Sequence, residues 1–463
     1  MGELLNDKRQ MKKLPYERPT LRKLTAGPLS KAGPRASARP LAELDGAPMP
    51  ELLARFGSPL FVLSERQLRR SYQAVVRAFS TRYPRVQLAW SYKTNYLNAV
   101  CRVFHQEGAW AEVVSGMELE KALLNGVPGP QILFNGPGKT RPDLLRAAEV
   151  DAVIHLDNFD ELHLLLAVAA GRPQRPRVAI RVNLDAGLVS QWDRFGFNLE
   201  NGQAWQALTH VAAADTLDFV GLHCHLGTFI LTPAAYATAA RKLAALAQRA
   251  QQELNLTTRY LDLGGGFPSV NTLKGSFLPG PDAVPDIDEY AETISEALLS
   301  SGFRPDALPL LVLEAGRALV DEAGYLLGTV LATKRLADGR RATVLDFGVN
   351  LLFTSYWYDH HISPVGRFSE QTEPTVLYGP LCMNIDVVRE SIELPLLAAG
   401  DQVVAHRVGA YNMSQWQQFI TLRPNVVLLD LQGQAHVIRE AETLNYMQQL
   451  ERVPGHLRNE RNG

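Results

Sequence analysis

QLAWSYKTN, residues 87–95, reads as a short strand of apolar and aromatic side chains running straight into a lysine. Branched and aromatic residues suit a pleated, half-buried surface, and a lysine directly behind them falls where the strand leaves its sheet. Runs of the same kind return seven more times: AEVV (111–114), QILFN (131–135), AVIHL (152–156), VAIRVNL (178–184), FVGLHCH (219–225), YLDLGG (260–265) and LLVLEAG (310–316). Between them lie stretches of helical periodicity such as ERQLRRSYQAVVRAFSTRY (65–83) and GMELEKALLNG (116–126), the latter closing on Gly126 as a C-cap does. Strands alternating with helices mark βα units, and eight of them close a (β/α)8 barrel. A further short strand, FVL (61–63), precedes the eight.

Beyond Arg317 the rhythm changes to strands with short turns and few helices: YLLGTVLATKRLA (325–337), RRATVLDFGV (340–349), PTVLYGPLC (374–382), DQVVAHRVGAY (401–411) and VVLLDLQGQAHVI (426–438). The expected fold is therefore α/β, a TIM-like barrel over 59–317 plus a separate, mostly β domain built from 46–58 and 318–450. Residues 1–45, carrying Lys8, Arg9, Lys12, Lys13, Arg18, Arg22 and Lys23 among Pro and Gly, read as a basic, partly disordered arm; 451–463 read as a polar tail.

At 463 residues the chain exceeds the usual size of one core. A hydrophobic fraction of 46%, a charged fraction of 21% and a net charge of -1 describe an ordinary globular protein, with no global field to draw nucleic acid or anionic lipid. No apolar run approaches the ~20 residues of a spanning helix, and the first 45 residues lack the apolar stretch of a signal peptide. Cys101, Cys224 and Cys382 form no CxxC pair and cannot all pair within one chain, which suits a reducing, cytoplasmic setting.

The candidate chemistry sits at the expected strand ends, where barrel active sites are built. Lys93 follows the first strand; a lone lysine there is ordinarily a solvated charge. The sixth strand ends in His223, Cys224, His225, Leu226, Gly227 and Thr228, with the two histidines on one face. Two histidines without a nearby third ligand make a poor metal site, so no metal is expected; a satisfied structural histidine and a ring-stacking or acid/base histidine both stay open. The seventh strand runs into Gly264, Gly265 and Gly266, a common turn that also lets backbone amides approach an anion. Loops after the seventh and eighth strands are where barrels commonly bind phosphate. The eighth strand ends in Glu314, Ala315, Gly316 and Arg317, either a local ion pair or a carboxylate for a protonated ring nitrogen beside a guanidinium for phosphate or substrate carboxylate. Convergence decides among these: a lysine, a histidine, a glycine loop and an acid at one rim are the four partners of pyridoxal 5'-phosphate (PLP), which takes an imine, a stacked ring, a phosphate cradle and a proton-holding carboxylate.

With these motifs the chain resembles, over roughly residues 58–420, the barrel-type (fold III) PLP decarboxylases that include diaminopimelate, ornithine and arginine decarboxylases. SYKTN is similar to the family's cofactor-lysine motif, HCHLGT to its stacking-histidine motif and LDLGGGFP to its phosphate loop. EAGR resembles its Glu-Pro-Gly-Arg, YGPLC its catalytic-cysteine motif and GAY its phosphate-binding tyrosine motif. The resemblance implies PLP-dependent decarboxylation of an amino acid or amino-acid conjugate at its α-carbon, giving carbon dioxide and an amine. It implies Lys93, Cys382 and His225 as catalytic residues. Lys93, Glu112, His225, Thr228, Gly264, Gly265, Gly266, Glu314, Gly316, Arg317 and Tyr411 are the cofactor-binding set it implies, and Arg317, Tyr358 and Met383 the substrate-binding one. It further implies an obligate homodimer in which Cys382 and Tyr411 complete the site across the interface.

Departures from the family pattern bear on substrate. Met383 stands where diaminopimelate enzymes usually carry glutamate and ornithine enzymes aspartate, and a thioether cannot pair with a distal ammonium. In DFGVNLLFTSYWY (346–358), Thr354 and Ser355 replace the usual Arg-Pro that grips a distal carboxylate, while Tyr358 matches. Met383 and the stretch GAYNMSQWQQF (409–419) bring the chain nearer to relatives in natural-product and siderophore pathways. Alternatives are a diaminopimelate decarboxylase, a PLP racemase, which generally places arginine where Glu314 stands, and a non-catalytic regulatory homologue, which typically lacks several of Lys93, Gly266, Glu314 and Cys382.

Overall fold

The computed structural model describes residues 40–368 and 371–457. All eight expected strands form, at Val86–Ser91, Trp110–Val113, Ile132–Phe134, Val153–Leu156, Arg177–Asn183, Asp218–His223, Tyr260–Asp262 and Leu310–Leu313. Each pairs in parallel with the next, and Leu310–Leu313 returns to Val86–Ser91, so the sheet closes on itself. Helices between the strands cover the outside; Glu65–Ser80, capped by the Ser64 hydroxyl, and Pro233–Leu254 bury Leu68, Tyr72, Phe79, Tyr236 and Leu243 against it.

Inside the barrel, strand alternation creates two layers two residues apart. The lower is apolar: Ala89, Trp110, Leu133, Val153, Ala179, Val220, Tyr260 and Val312 pack together. Two positions further along seven of those strands stand Ser91, Glu112, Asn135, His155, Arg181, Asp262 and Glu314. On the sixth strand a register shift between Phe219 and Gly221 makes the step irregular, and His223 takes the place. The upper layer, nearest the C-terminal mouth, is thus almost wholly polar although every member is buried.

The second sheet carries a correction. Leu60–Ser64, placed by sequence in front of the barrel with a boundary at 59, belongs to the β domain. It lies antiparallel to Gly324–Arg335 and parallel to Val426–Leu429. The cause is its continuous burial, which suits a central strand covered on both faces. Two strands not read from sequence, Ile362–Pro364 and Val387–Pro395, complete the sheet. Of the expected arm, 1–39 fall outside the described residues; Glu43–Leu44 pairs with Ala47–Pro48, and Leu41 bridges Val365. Within the expected tail, 451–457 are exposed and the remainder is outside the described residues. Among the described residues no helix is long and apolar enough to cross a membrane.

Candidate active site

A cavity of about 720 Å³ opens at the barrel mouth, lined by Lys93, Thr94, Trp192, His225, Thr228, Phe229, Gly265, Gly266, Lys274, Glu314, Gly316, Arg317, Trp357, Tyr358 and Tyr411 among others. Lys93 stands just past the first strand with its side chain 35% exposed, and its Nζ donates to both oxygens of the fully buried Glu112, at 2.7 and 2.6 Å. Burial opposes the charge on Lys93, but Glu112, Glu314 and Tyr411 outweigh it and hold the ammonium above its ordinary range. Ser91 Oγ donates to the same Glu112. Asn135 Nδ2 bridges the layer, donating to Glu112 at 3.0 Å and to Glu314 at 2.5 Å. Glu314 is therefore aimed at the cavity floor and is not the partner of Arg317. That removes the local ion-pair reading.

Arg317 turns the other way, donating to Tyr358 Oη and, at 3.3 Å, to Thr228 Oγ1; its guanidinium carbon lies 4.8 Å from the Tyr411 ring centroid. Burial raises the Tyr358 phenol, so it stays protonated. The His225 ring is held down at about 3, first by burial and then by Lys93 and Arg181. Its Nδ1 accepts the Gly265 N–H at 3.0 Å, which leaves Nε2 as the protonated nitrogen of a neutral ring. A flat, uncharged imidazole on the cavity wall suits ring stacking.

The glycine loop divides its labour. Gly264 N–H donates to Asp262 Oδ1 and Gly265 N–H to His225, so neither amide is free for an anion. A Cβ at Gly265 would run into the carbonyl oxygen of Glu314. Gly266 has φ +92, a Cβ there would sit 2.5 Å from Gly227 O, and its N–H makes no hydrogen bond among the described residues. Thr94 Oγ1, also on the lining, is buried without a partner. These orphaned donors, a lysine, a buried carboxylate and a flat neutral ring fit PLP in donor chemistry. Gly316 lines the same wall, opposite Thr94.

The β domain reaches the site through residues 356–358 and 409–415. Tyr411, at φ +63, donates its N–H to Thr94 O at 2.8 Å, Ser414 Oγ donates to Lys93 O at 2.9 Å, and Asn95 Nδ2 donates to Gly409 O at 3.0 Å. Tyr411 therefore meets Lys93 within one chain, which corrects its expected placement across an interface. The left-handed backbone at Tyr411 turns the segment back onto the lysine. Cys382 is exposed, and neither it nor Met383 lines the cavity of its own chain.

Sequence reading missed part of the upper layer. His155, His223, Asp262 and Glu314 bring one ligand-type atom each within 4.8 Å of one another, so the third and fourth ligand-type residues that local spacing did not show come from other strands. Burial and the neighbouring Glu314 raise the Asp262 carboxyl well above its usual range, while burial lowers His155 and His223 well below theirs. The cluster thus holds neutral histidines and a protonated acid beside Glu314. Asn135 was missed as well, although it ends QILFN at the same height as the other strand-end residues.

Residues 66–321 match the family described as pyridoxal-dependent decarboxylase, pyridoxal binding domain. The diaminopimelate decarboxylase of Methanocaldococcus jannaschii is 29% identical over 89% of this chain and 95% of its own length; that of Actinosynnema pretiosum is 33% identical over 86% and 90%. The crystal structure of the M. jannaschii enzyme superposes with a TM-score of 0.82 over 90% of this chain and 96% of that one. A lysine/ornithine decarboxylase from Vibrio vulnificus, solved with putrescine, is 25% identical with a TM-score of 0.69 over 82% and 97%. Barrel, polar rim and glycine loop agree with these matches: the chain belongs to the pyridoxal-dependent decarboxylases and is an amino-acid decarboxylase that uses PLP.

Proposed function

We propose that the chain removes the α-carboxylate of an amino acid or amino-acid conjugate whose distal end differs from the zwitterion of diaminopimelate. The carrying observation is that Thr354 and Ser355, which stand where the Arg-Pro grip on a distal carboxylate is expected, do not meet the cavity, although Tyr358 does. Thr354 is buried, its hydroxyl shared with His360 Nε2 at 2.8 Å and Asn412 Oδ1 at 2.9 Å, and Ser355 is buried beside it. Both lie off the lining, and Met383 brings no charge. A natural-product or siderophore role is the corresponding pathway reading. Diaminopimelate remains the competing substrate, because the relatives above carry that name over nearly their whole length.

Bound in this cavity, PLP supplies an electron sink for the bond broken at the substrate's α-carbon. Lys93 is the residue that would hold it covalently, and Glu112, at 2.6 Å, is placed to take the proton that Nζ must first lose. Glu314, pinned by Asn135, is placed to keep a proton on the ring nitrogen. Gly266 N–H, Thr94 Oγ1 and Tyr411 would meet the phosphate, and His225 the ring face. Arg317 and Tyr358, already joined to each other, would receive a substrate carboxylate. Cys382 would return a proton to the α-carbon from a second copy of the chain, since its own cavity lacks it.

Carbon dioxide release from a panel of amino acids and carboxylated conjugates, with diaminopimelate included, tests the proposal. PLP-loaded protein should turn over a panel member faster than diaminopimelate, and Lys93→Ala should abolish release. Preference for diaminopimelate would overturn the distal reading, and undiminished turnover by Lys93→Ala would overturn the role of the lysine.

A further inference from the structure

Among the described residues three cations line the cavity, and two are engaged. Lys93 is paired with Glu112, and Arg317 with Tyr358 and Thr228. The third, Lys274, has no ion pair or side-chain hydrogen bond among the described residues. Its backbone is nevertheless fixed: its N–H donates to Trp357 O at 2.8 Å, Asp359 N–H donates to Thr272 O at 2.8 Å, and Leu273 bridges antiparallel to Tyr358. The loop after the seventh barrel strand is thereby stitched to the β-domain segment that forms the outer wall, and Lys274 is set on the cavity lining. Among the described residues Glu314 is the sole carboxylate on the lining, and it lies on the floor. Between floor and mouth the wall is aromatic, with Trp192 and Trp357 each 39% exposed.

Resting on the decarboxylase reading, we propose that Lys274 determines specificity at the substrate's far end, binding a distal carboxylate whose apolar stem lies along Trp357 and Trp192. A free distal amine has no acidic partner on this lining and meets a like charge at the mouth. A carboxylate meets a preplaced ammonium, and the indole faces shield the stem from water. The substrate class is an α-amino acid, extended or conjugated, that ends in an anion without a neighbouring ammonium.

Three amino acids of matched length, ending in carboxylate, carboxamide or ammonium, test this with PLP-loaded protein. The carboxylate should exceed the carboxamide at least tenfold in kcat/KM, chiefly through KM, with the ammonium last. Lys274→Ala should bring the first ratio near one, Lys274→Arg should keep it, and Lys274→Glu should reverse the order toward the ammonium. Preference for the ammonium in the unaltered protein, or the same ratio in all three variants, overturns the proposal. If none of the three releases carbon dioxide, the decarboxylase reading fails separately. Titrating the change in cofactor absorbance with the same compounds then still reads the distal preference, and equal Kd values for carboxylate and carboxamide overturn the role of Lys274.

Discussion

The two interior layers of the barrel differ by only two residues along each strand, yet they do opposite work. Ala89, Leu133, Val153, Ala179 and Val312 fill the lower layer with close-packed apolar atoms, while Ser91, Asn135, His155, Arg181 and Glu314 crowd the upper layer with polar groups. Burying so many polar atoms costs stability unless they satisfy one another. Asn135 satisfies two carboxylates at once, whereas His223 Nε2 only approaches Glu314, at 3.4 Å, and its Nδ1 has no hydrogen-bond partner among the described residues. The lower layer supplies rigidity, and the upper layer stands on it, preorganised for a ligand. Stability and chemistry are thus separated by one pleat.

Exchanging damage between the layers gives the largest expected effect. Glu314→Gln should lower kcat by about 10²-fold or more while the melting temperature holds within a few degrees. Val312→Ala, one pleat below, should cost roughly 2 kcal/mol of stability in denaturant titration and leave kcat within a small factor. Activity loss tracking stability loss at both positions would erase the distinction.

A smaller effect asks whether the polar layer of one chain is finished by another. Lys93→Ala and Cys382→Ala are each expected to be nearly inactive alone. If two copies share each site as proposed, mixing the two variants in equal amounts after dissociation and reassociation should recover about a quarter of normal activity, because half the random dimers would carry one intact site. No recovery would place Cys382 outside the shared site.

The smallest effect concerns acid sensitivity of the upper layer. The folded-state pKa of His223 is lowered by burial, so below its unfolded value of about 6.5 the unfolded chain takes a proton that the folded chain refuses, and stability falls as pH falls. His223→Gln should remove this group's share of the loss on acidification from the pH dependence of unfolding. Asp262 has the opposite sign: its folded value is raised, so its contribution is fully present below the unfolded value of about 4 and is lost as pH rises. Asp262→Asn should therefore make the acid-side loss steeper.

Much of this was legible because barrel strands announce themselves by short apolar runs and the mouth residues sit directly behind them. Lys93, His225, Gly266, Glu314 and Arg317 all fall there. Asp262 and His155 escaped notice because their significance depends on closure of the sheet, which brings strands four, six, seven and eight together. Lys274 gave no signal at all: its place follows from the pairing of its loop with residues 357–359, far along the chain. Tyr411 was recognised by motif but assigned to the wrong side of an interface, since sequence does not tell whether a domain folds back on its own barrel.

The strand Leu60–Ser64 sets a condition on biosynthesis. It leaves the ribosome before any of the barrel, but its partner Gly324–Arg335 begins about 260 residues later, and Val426–Leu429 later still. At ~5–20 residues per second the five-residue segment LFVLS waits roughly 10–50 s with both hydrogen-bonding edges bare. A nascent chain stalled within the barrel would present that sticky edge to its neighbours.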